Sequence, residues 1–208
     1  MDFLLNINIQ FYIVAYLVGG IPFGLLLTKK LTSIDVRESG SGSIGATNVL
    51  RVLKESNPIM AKRIAVATLL LDALKGIFVL IIASILGLSE QTLWMIAILS
   101  IVGHCYSPFL KFEGGKGVAT GMGVMLFMLP IETILAIIAW FIAGKIFKVS
   151  SLSSLIALTT LIVSSFIIHP QIDEIKTHAP IFVIAFLITY KHVPNIMRLF
   201  RGEESKIV

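Results

Sequence analysis

Seven apolar runs, at about 9–28, 63–87, 92–110, 118–130, 131–147, 150–168 and 178–192, fix the solvent in which this chain folds. Hydrocarbon offers no water to unpaired backbone groups, so each run must close its own hydrogen bonds as a helix. About 20 residues at 1.5 Å rise cross the ~30 Å core. The hydrophobic share of 56% exceeds the roughly 45–50% of a soluble domain. The single cysteine, Cys105, leaves no internal disulfide. The expected fold is all-α, a polytopic membrane helical bundle. It is a single domain over 1–208, because no repeat or low-complexity tract divides the chain.

Two runs, 118–130 and 178–192, are short for a full crossing, and 118–147 could form one helix kinked at Pro130. Seven transmembrane helices with the N-terminus outside put every Lys and Arg beyond the spans, Lys176 excepted, on the cytoplasmic side. Six spans move Lys145, Lys148, Lys191, Arg198, Arg201 and Lys206 outside. The positive-inside rule favours seven, with the C-terminus cytoplasmic. Glu132 then marks a tight external turn rather than a charge buried in mid-span. The net charge of +5 does not describe a nucleic-acid partner, because the basic residues lie between apolar runs rather than on one soluble face.

The first cytoplasmic loop runs from Arg37 through Gly40, Ser41, Gly42, Ser43, Gly45, Thr47 and Asn48 to Arg51. Gly40, Gly42 and Gly45 have dinucleotide-fingerprint spacing, but that fingerprint needs a strand before it and a helix after it. What remains is an anion nest of exposed amides and hydroxyls, completed by a cation one turn beyond Thr47. A flexible polar linker is the competing reading. The second stretch, Gly114-Gly115-Lys116-Gly117, lacks two positions of a nucleotide-binding P-loop, held here by Leu110 and Gly117. A glycine-flanked lysine at a helix start still suits an anion. It also suits a snorkelling lysine, with Gly117 serving helix packing.

The third stretch holds His192, Asn195, Arg198 and Glu204; on a continuing helix the first three share a face, suited to a substrate hydroxyl or to lipid headgroups. Asp72 and Lys75, three residues apart inside the second span, can neutralise each other as a structural pair. Ser150, Ser151, Ser153 and Ser154 open the sixth span, where they cap it or add anion donors. His104 reads as a hydrogen-bonded bundle residue. No Cys, His and acid cluster has metal spacing, so neither a metal nor another cofactor is expected.

Taken together, these stretches resemble the bacterial acyl-phosphate:glycerol-3-phosphate acyltransferase family over nearly the whole chain. The carriers are Gly40-Ser41-Gly42 through Asn48 with Arg51, Asp72 through Gly76, Gly103-His104 through Leu110, Gly114 through Thr120, and His192 through Glu204. Ser43 departs from the family's usual Asn. The resemblance implies a multi-pass protein of the bacterial inner membrane with a cytoplasmic active site. The implied reaction moves a fatty acyl group from acyl phosphate to the sn-1 hydroxyl of glycerol 3-phosphate, giving lysophosphatidic acid and inorganic phosphate for phospholipid synthesis. It further implies contact with membrane lipids and a functional link to an enzyme that produces acyl phosphate.

By position, Ser41, Arg51, Lys116, His192 and Asn195 match the family's catalytic set. Gly40, Gly42, Thr47, Asn48, Gly114, Gly115, Gly117 and Ser154 are expected at the substrate, and Glu204, Asp72 and Lys75 in structural roles. The substrate phosphate, His192 as general base, or Ser41 as nucleophile could carry the proton or acyl step. A transporter of a phosphate ester or other organic anion is the alternative from another class, although no broken helices repeat in the two halves. An acyl-CoA-dependent enzyme would show His followed five positions later by Asp; only His169 and Glu174 approach that spacing.

Overall fold

The computed structural model describes residues 5–206. They form α1 (Ile7–Gly20), α2 (Phe23–Thr32), α3 (Ala46–Leu53), α4 (Pro58–Ile85), α5 (Glu90–Cys105) and α6 (Val118–Met128). There follow α7 (Pro130–Phe147), α8 (Ser150–Ile168), α9 (Ala179–Lys191) and α10 (Val193–Phe200). Local chemistry starts the long helices. Asn57 Oδ1 accepts from the Met60 amide at 3.0 Å and Pro58 fills the first turn of α4, while Ser89 caps α5 through the Thr92 amide.

The hub is α4, which packs against α1, α2, α3, α5 and α6. Beside that group stands the tightly packed α7–α8 pair, and α9 touches α5 and α8. Close helix approach explains the small residues between α1 and α5. A Cβ on Gly19 would sit 2.2 Å from the Ser100 carbonyl oxygen, so any side chain there forces the helices apart. The short α3 buries Val49 and Leu53 in a second apolar cluster with Leu25, Val36, Ile44 and Ile64.

Pro22 has no amide to donate, and the helix breaks between α1 and α2. The carbonyls beside the break find side-chain donors: Ser107 Oγ donates to Gly20 O at 2.6 Å and Lys75 Nζ to Ile21 O at 3.0 Å. Lys75 also meets Asp72 Oδ1 at 2.9 Å, so the expected ion pair forms within one turn of α4. Its third contact is His104 Nδ1 at 2.9 Å, which places His104 in the bundle as a hydrogen-bonded residue. Each group thus compensates a polar atom that lipid-depth surroundings would leave bare.

The 118–147 stretch is two helices, broken at Leu129 (φ −139°, ψ 74°) with Pro130 opening α7. Among the described residues, five segments are long and apolar enough to cross a membrane: Ile7–Thr32, α4, Glu90–Leu110, α7 and α8. A sixth exists if α9 and α10 count together, and they meet at a 58° bend. The apolar α6 has 11 residues, about 17 Å at 1.5 Å rise, roughly half the hydrocarbon core. The bend also corrects the expectation of a helix continuing through His192 and Asn195. Pro194 withholds the amide that would pair with Tyr190 O, and the axis turns there. Glu132 does lie in the first turn of α7, at the end remote from the polar loops, but its side chain is fully buried against His169 Nδ1.

Candidate active site

Between the α4-centred group and the α7–α8 pair lies a cavity of about 770 Å³. Its polar end is lined by Gly40, Ser41, Thr47, Asn48, Arg51, Lys116, Ser154, His192, Asn195 and Glu204. Its other end is apolar, with Met122 and Met125 of α6, Ala136 and Trp140 of α7, Leu158 and Leu161 of α8, and Ile184 of α9. An adjoining pocket of about 220 Å³ shares Ser41, Lys116, Asn195 and Arg198 with it and adds Gly42, Gly114 and Lys191. The three polar stretches, far apart in sequence, therefore converge on one space. Asp72 reaches its wall as well, while Gly115, Gly117 and Lys75 do not line it.

Two amides of the expected nest in the first loop, those of Ser41 and Gly42, are claimed from within. Asn48 Oδ1 accepts from the Ser41 amide at 2.8 Å, and its Nδ2 lies 2.9, 3.2 and 2.8 Å from the carbonyls of Val36, Ser39 and Ser43. The Gly42 amide donates to Ser39 O. Asn48 thus holds the loop's shape and has no spare donor for a ligand. Gly40 sits at φ +63° with Asn48 Oδ1 where its Cβ would be, at 2.3 Å, so the loop needs glycine there. The loop also presents side chains to the cavity: Ser41, Thr47 and Arg51. Thr47 Oγ1 lies 3.1 Å from Ser150 Oγ, which joins α3 to α8 across the polar end.

In the second stretch the Gly115 amide donates to His104 O at 3.0 Å, and a Cβ on Gly115 would fall 2.0 Å from His104 Nε2. His104 and the ion pair behind it therefore brace the loop that carries Lys116. Gly117 caps α6 and packs toward Cys105, Ile101 and Ile188. Lys116 has a pKa lowered to about 8, mainly by burial and further by Arg198 and Arg51, with Glu204 opposing. Among the described residues, neither Arg51 nor Lys116 is in an ion pair. Two cations without acidic partners at one end of a cavity suit an anion.

His192 Nδ1 lies 2.7 Å from Ile188 O, which requires the proton on Nδ1 and leaves Nε2 an acceptor when the ring is neutral. Glu204 receives Asn195 Nδ2 at 2.6 Å, Ser151 Oγ at 2.7 Å and Arg198 Nε at 2.7 Å, tying α10 to α8. Burial raises the Glu204 pKa, but these bonds and the Arg198 charge prevail and hold it below the usual value. Ser154 Oγ donates to Ser150 O at 3.0 Å and accepts from Trp140 Nε1 at 3.3 Å. Sequence reasoning missed Trp140 at the wall. Its indole N–H in an apolar helix needs a partner, and that need was the available signal.

The model of a family described as glycerol-3-phosphate acyltransferase matches residues 9–202. The chain belongs to this family. Among its relatives, the glycerol-3-phosphate acyltransferase of Sulfurimonas denitrificans is 62% identical over 208 residues, covering all of both chains. That of Wolinella succinogenes is 57% identical over the same length. A crystal structure of PlsY, an integral membrane glycerol 3-phosphate acyltransferase, in its glycerol 3-phosphate form superposes with a TM-score of 0.85 at 33% identity. It covers 97% of this chain and 96% of that one. The lysophosphatidic acid form gives 0.81 at 31% identity, covering 96% and 94%. This member of the family is accordingly an integral, multi-pass membrane acyltransferase, and the transporter alternative falls away.

Proposed function

We propose that the chain transfers a fatty acyl group from acyl phosphate to the sn-1 hydroxyl of glycerol 3-phosphate, releasing inorganic phosphate. What supports this reading is one cavity that joins two cations, in no ion pair among the described residues, to an apolar trough. Both substrates bring a phosphate and one brings a chain, and the cavity offers a matching element for each. Arg51 and Lys116 hold phosphate, with Ser41 and Thr47 adding hydroxyl donors, and the tail lies along Met125, Trp140, Leu158 and Leu161. The substrate hydroxyl oxygen bonds to the acyl carbon, the bond from that carbon to the phosphate oxygen breaks, and phosphate leaves with the electron pair. His192 Nε2 is the acceptor that the ring's fixed tautomer offers for the hydroxyl proton, and a substrate phosphate oxygen is its rival. An acyl phosphate is already activated, so positioning and charge stabilisation suffice without an enzyme nucleophile. Asn195 is oriented by Glu204 for the attacking hydroxyl.

The site faces the cytoplasm of the bacterial inner membrane in this reading, with seven crossings, the N-terminus outside and the C-terminus inside. The support is the Lys and Arg distribution, together with the break at Leu129 that turns 118–147 into two apolar helices. Donor choice tests the function. Purified protein in detergent is expected to form lysophosphatidic acid and phosphate from palmitoyl phosphate and glycerol 3-phosphate. Palmitoyl-CoA, with its bulky nucleotide head, is expected to give none. Turnover of palmitoyl-CoA alone would overturn the assignment.

A further inference from the structure

The α10 helix has two faces with different surroundings. At about 100° per residue, Val193, Met197 and Phe200 fall within an arc of about 60°, and Asn195 and Arg198 lie on the other side. The stripe is exposed, Phe200 at 89%, whereas Asn195 is buried against the cavity. The stripe also continues an exposed surface on α9, where Phe186 and Tyr190 stack at 6.0 Å. Contacts of α10 with other helices are sparse, and its C-terminal end is tied down through Glu204.

We propose that the lipid leaflet beside the site is the missing packing partner of α10, and that its hold on Val193, Met197 and Phe200 positions Asn195 and Arg198. The apolar stripe lies at the boundary of headgroup and acyl chain, as an amphipathic interfacial helix does. Continuity with the aromatic surface of α9 selects lipid as the occupant, and exposed Arg201 beyond the stripe suits anionic headgroups. Because the two faces belong to one short helix, its depth and roll set where the polar face stands in the cavity. Met197 and Phe200 are thus positioning residues that act through Asn195 and Arg198.

The test has two arms, and only the kinetic arm rests on the proposed reaction. Cys105 is fully buried, so a nitroxide on Phe200→Cys reports one place. In phosphatidylglycerol-containing nanodiscs it should collide with oxygen far more than with a water-soluble nickel chelate, and the same label on Arg201→Cys should show the reverse. Nickel-dominated collisions at Phe200 would overturn the proposal. So would dipolar broadening that disappears on dilution with unlabelled protein, which would mean a second copy covers the stripe. In nanodiscs, Met197→Ser/Phe200→Ser should raise KM for glycerol 3-phosphate about fivefold or more, with Phe200→Leu near wild type, in line with losing part of an aromatic side chain's burial. An unchanged KM would refute the coupling even if the label is lipid-embedded. If the wild type does not use palmitoyl phosphate, the proposed reaction fails while the collision result still decides the placement of α10.

Discussion

Lys116 should give the enzyme an alkaline limit near pH 8. Its ammonium is pushed down to about 8 by burial beside Arg198 and Arg51, so in the free enzyme it is charged below that pH and neutral above it. A phosphate ligand is bound by the charged form. At pH 7 about nine-tenths of the lysine carries its proton and at pH 9 slightly under one-tenth, so kcat/KM for glycerol 3-phosphate should fall roughly tenfold between them. Bound phosphate holds the proton on, so the limb in kcat should lie at higher pH. Phosphate release from palmitoyl phosphate, followed at low and saturating glycerol 3-phosphate, separates the two. Lys116→Ala should cost about 10- to 150-fold in kcat/KM, from roughly 1.5–3 kcal/mol per charge-assisted bond. Lys116→Arg should abolish the limb near 8, because a guanidinium does not titrate there. A limb that survives in Lys116→Arg, or a Lys116→Ala variant with normal turnover and affinity, would refute the assignment.

Other expectations follow from the same geometry. Asn48→Ala leaves the carbonyls of Val36, Ser39 and Ser43 and the Ser41 amide without their partner, and should lower stability by about 1–3 kcal/mol in a thermal melt. Asp72→Ala strands the buried Lys75 and should cost about 3–5 kcal/mol, whereas Asp72→Leu/Lys75→Leu should lose less, its remaining cost being the Ile21 carbonyl and His104 Nδ1 left without Lys75; a loss in the double variant as large as in Asp72→Ala would show that the stranded charge is not what destabilises. Cysteines introduced near Asp173 and near Glu204 on a Cys105-free background should react with an impermeant thiol reagent from opposite faces. Labelling from the same face would reject seven crossings.

Much of the architecture is written in local chemistry that lipid makes unforgiving. Pro130 and Pro22 mark real breaks because proline has no amide to pair within a continuing helix, and Asp72 with Lys75 forms its pair because three residues place both on one helix face. The bend at His192 was legible in the same way, from Pro194, although the basic face looked continuous. The convergence of the polar stretches was legible from their residue types. Which donors remain free for a ligand was not, because Asn48 and the His104 carbonyl claim loop amides through contacts that only the fold creates. The same holds for Glu204, whose partners Ser151, Asn195 and Arg198 come from two helices. The apolar trough is drawn from α6, α7, α8 and α9, each of which looks simply lipid-like in sequence.

In the proposed function, one cavity holds phosphate at Arg51 and Lys116 and a fatty chain in the trough beyond. A structure with glycerol 3-phosphate and a non-transferable acyl phosphonate bound would show both at once. Phosphate oxygens should lie within about 3.2 Å of Lys116 Nζ and the Arg51 guanidinium, with the tail running between Met125, Trp140 and Leu161. Phosphate bound away from both cations, or a tail lying outside the trough, would contradict it.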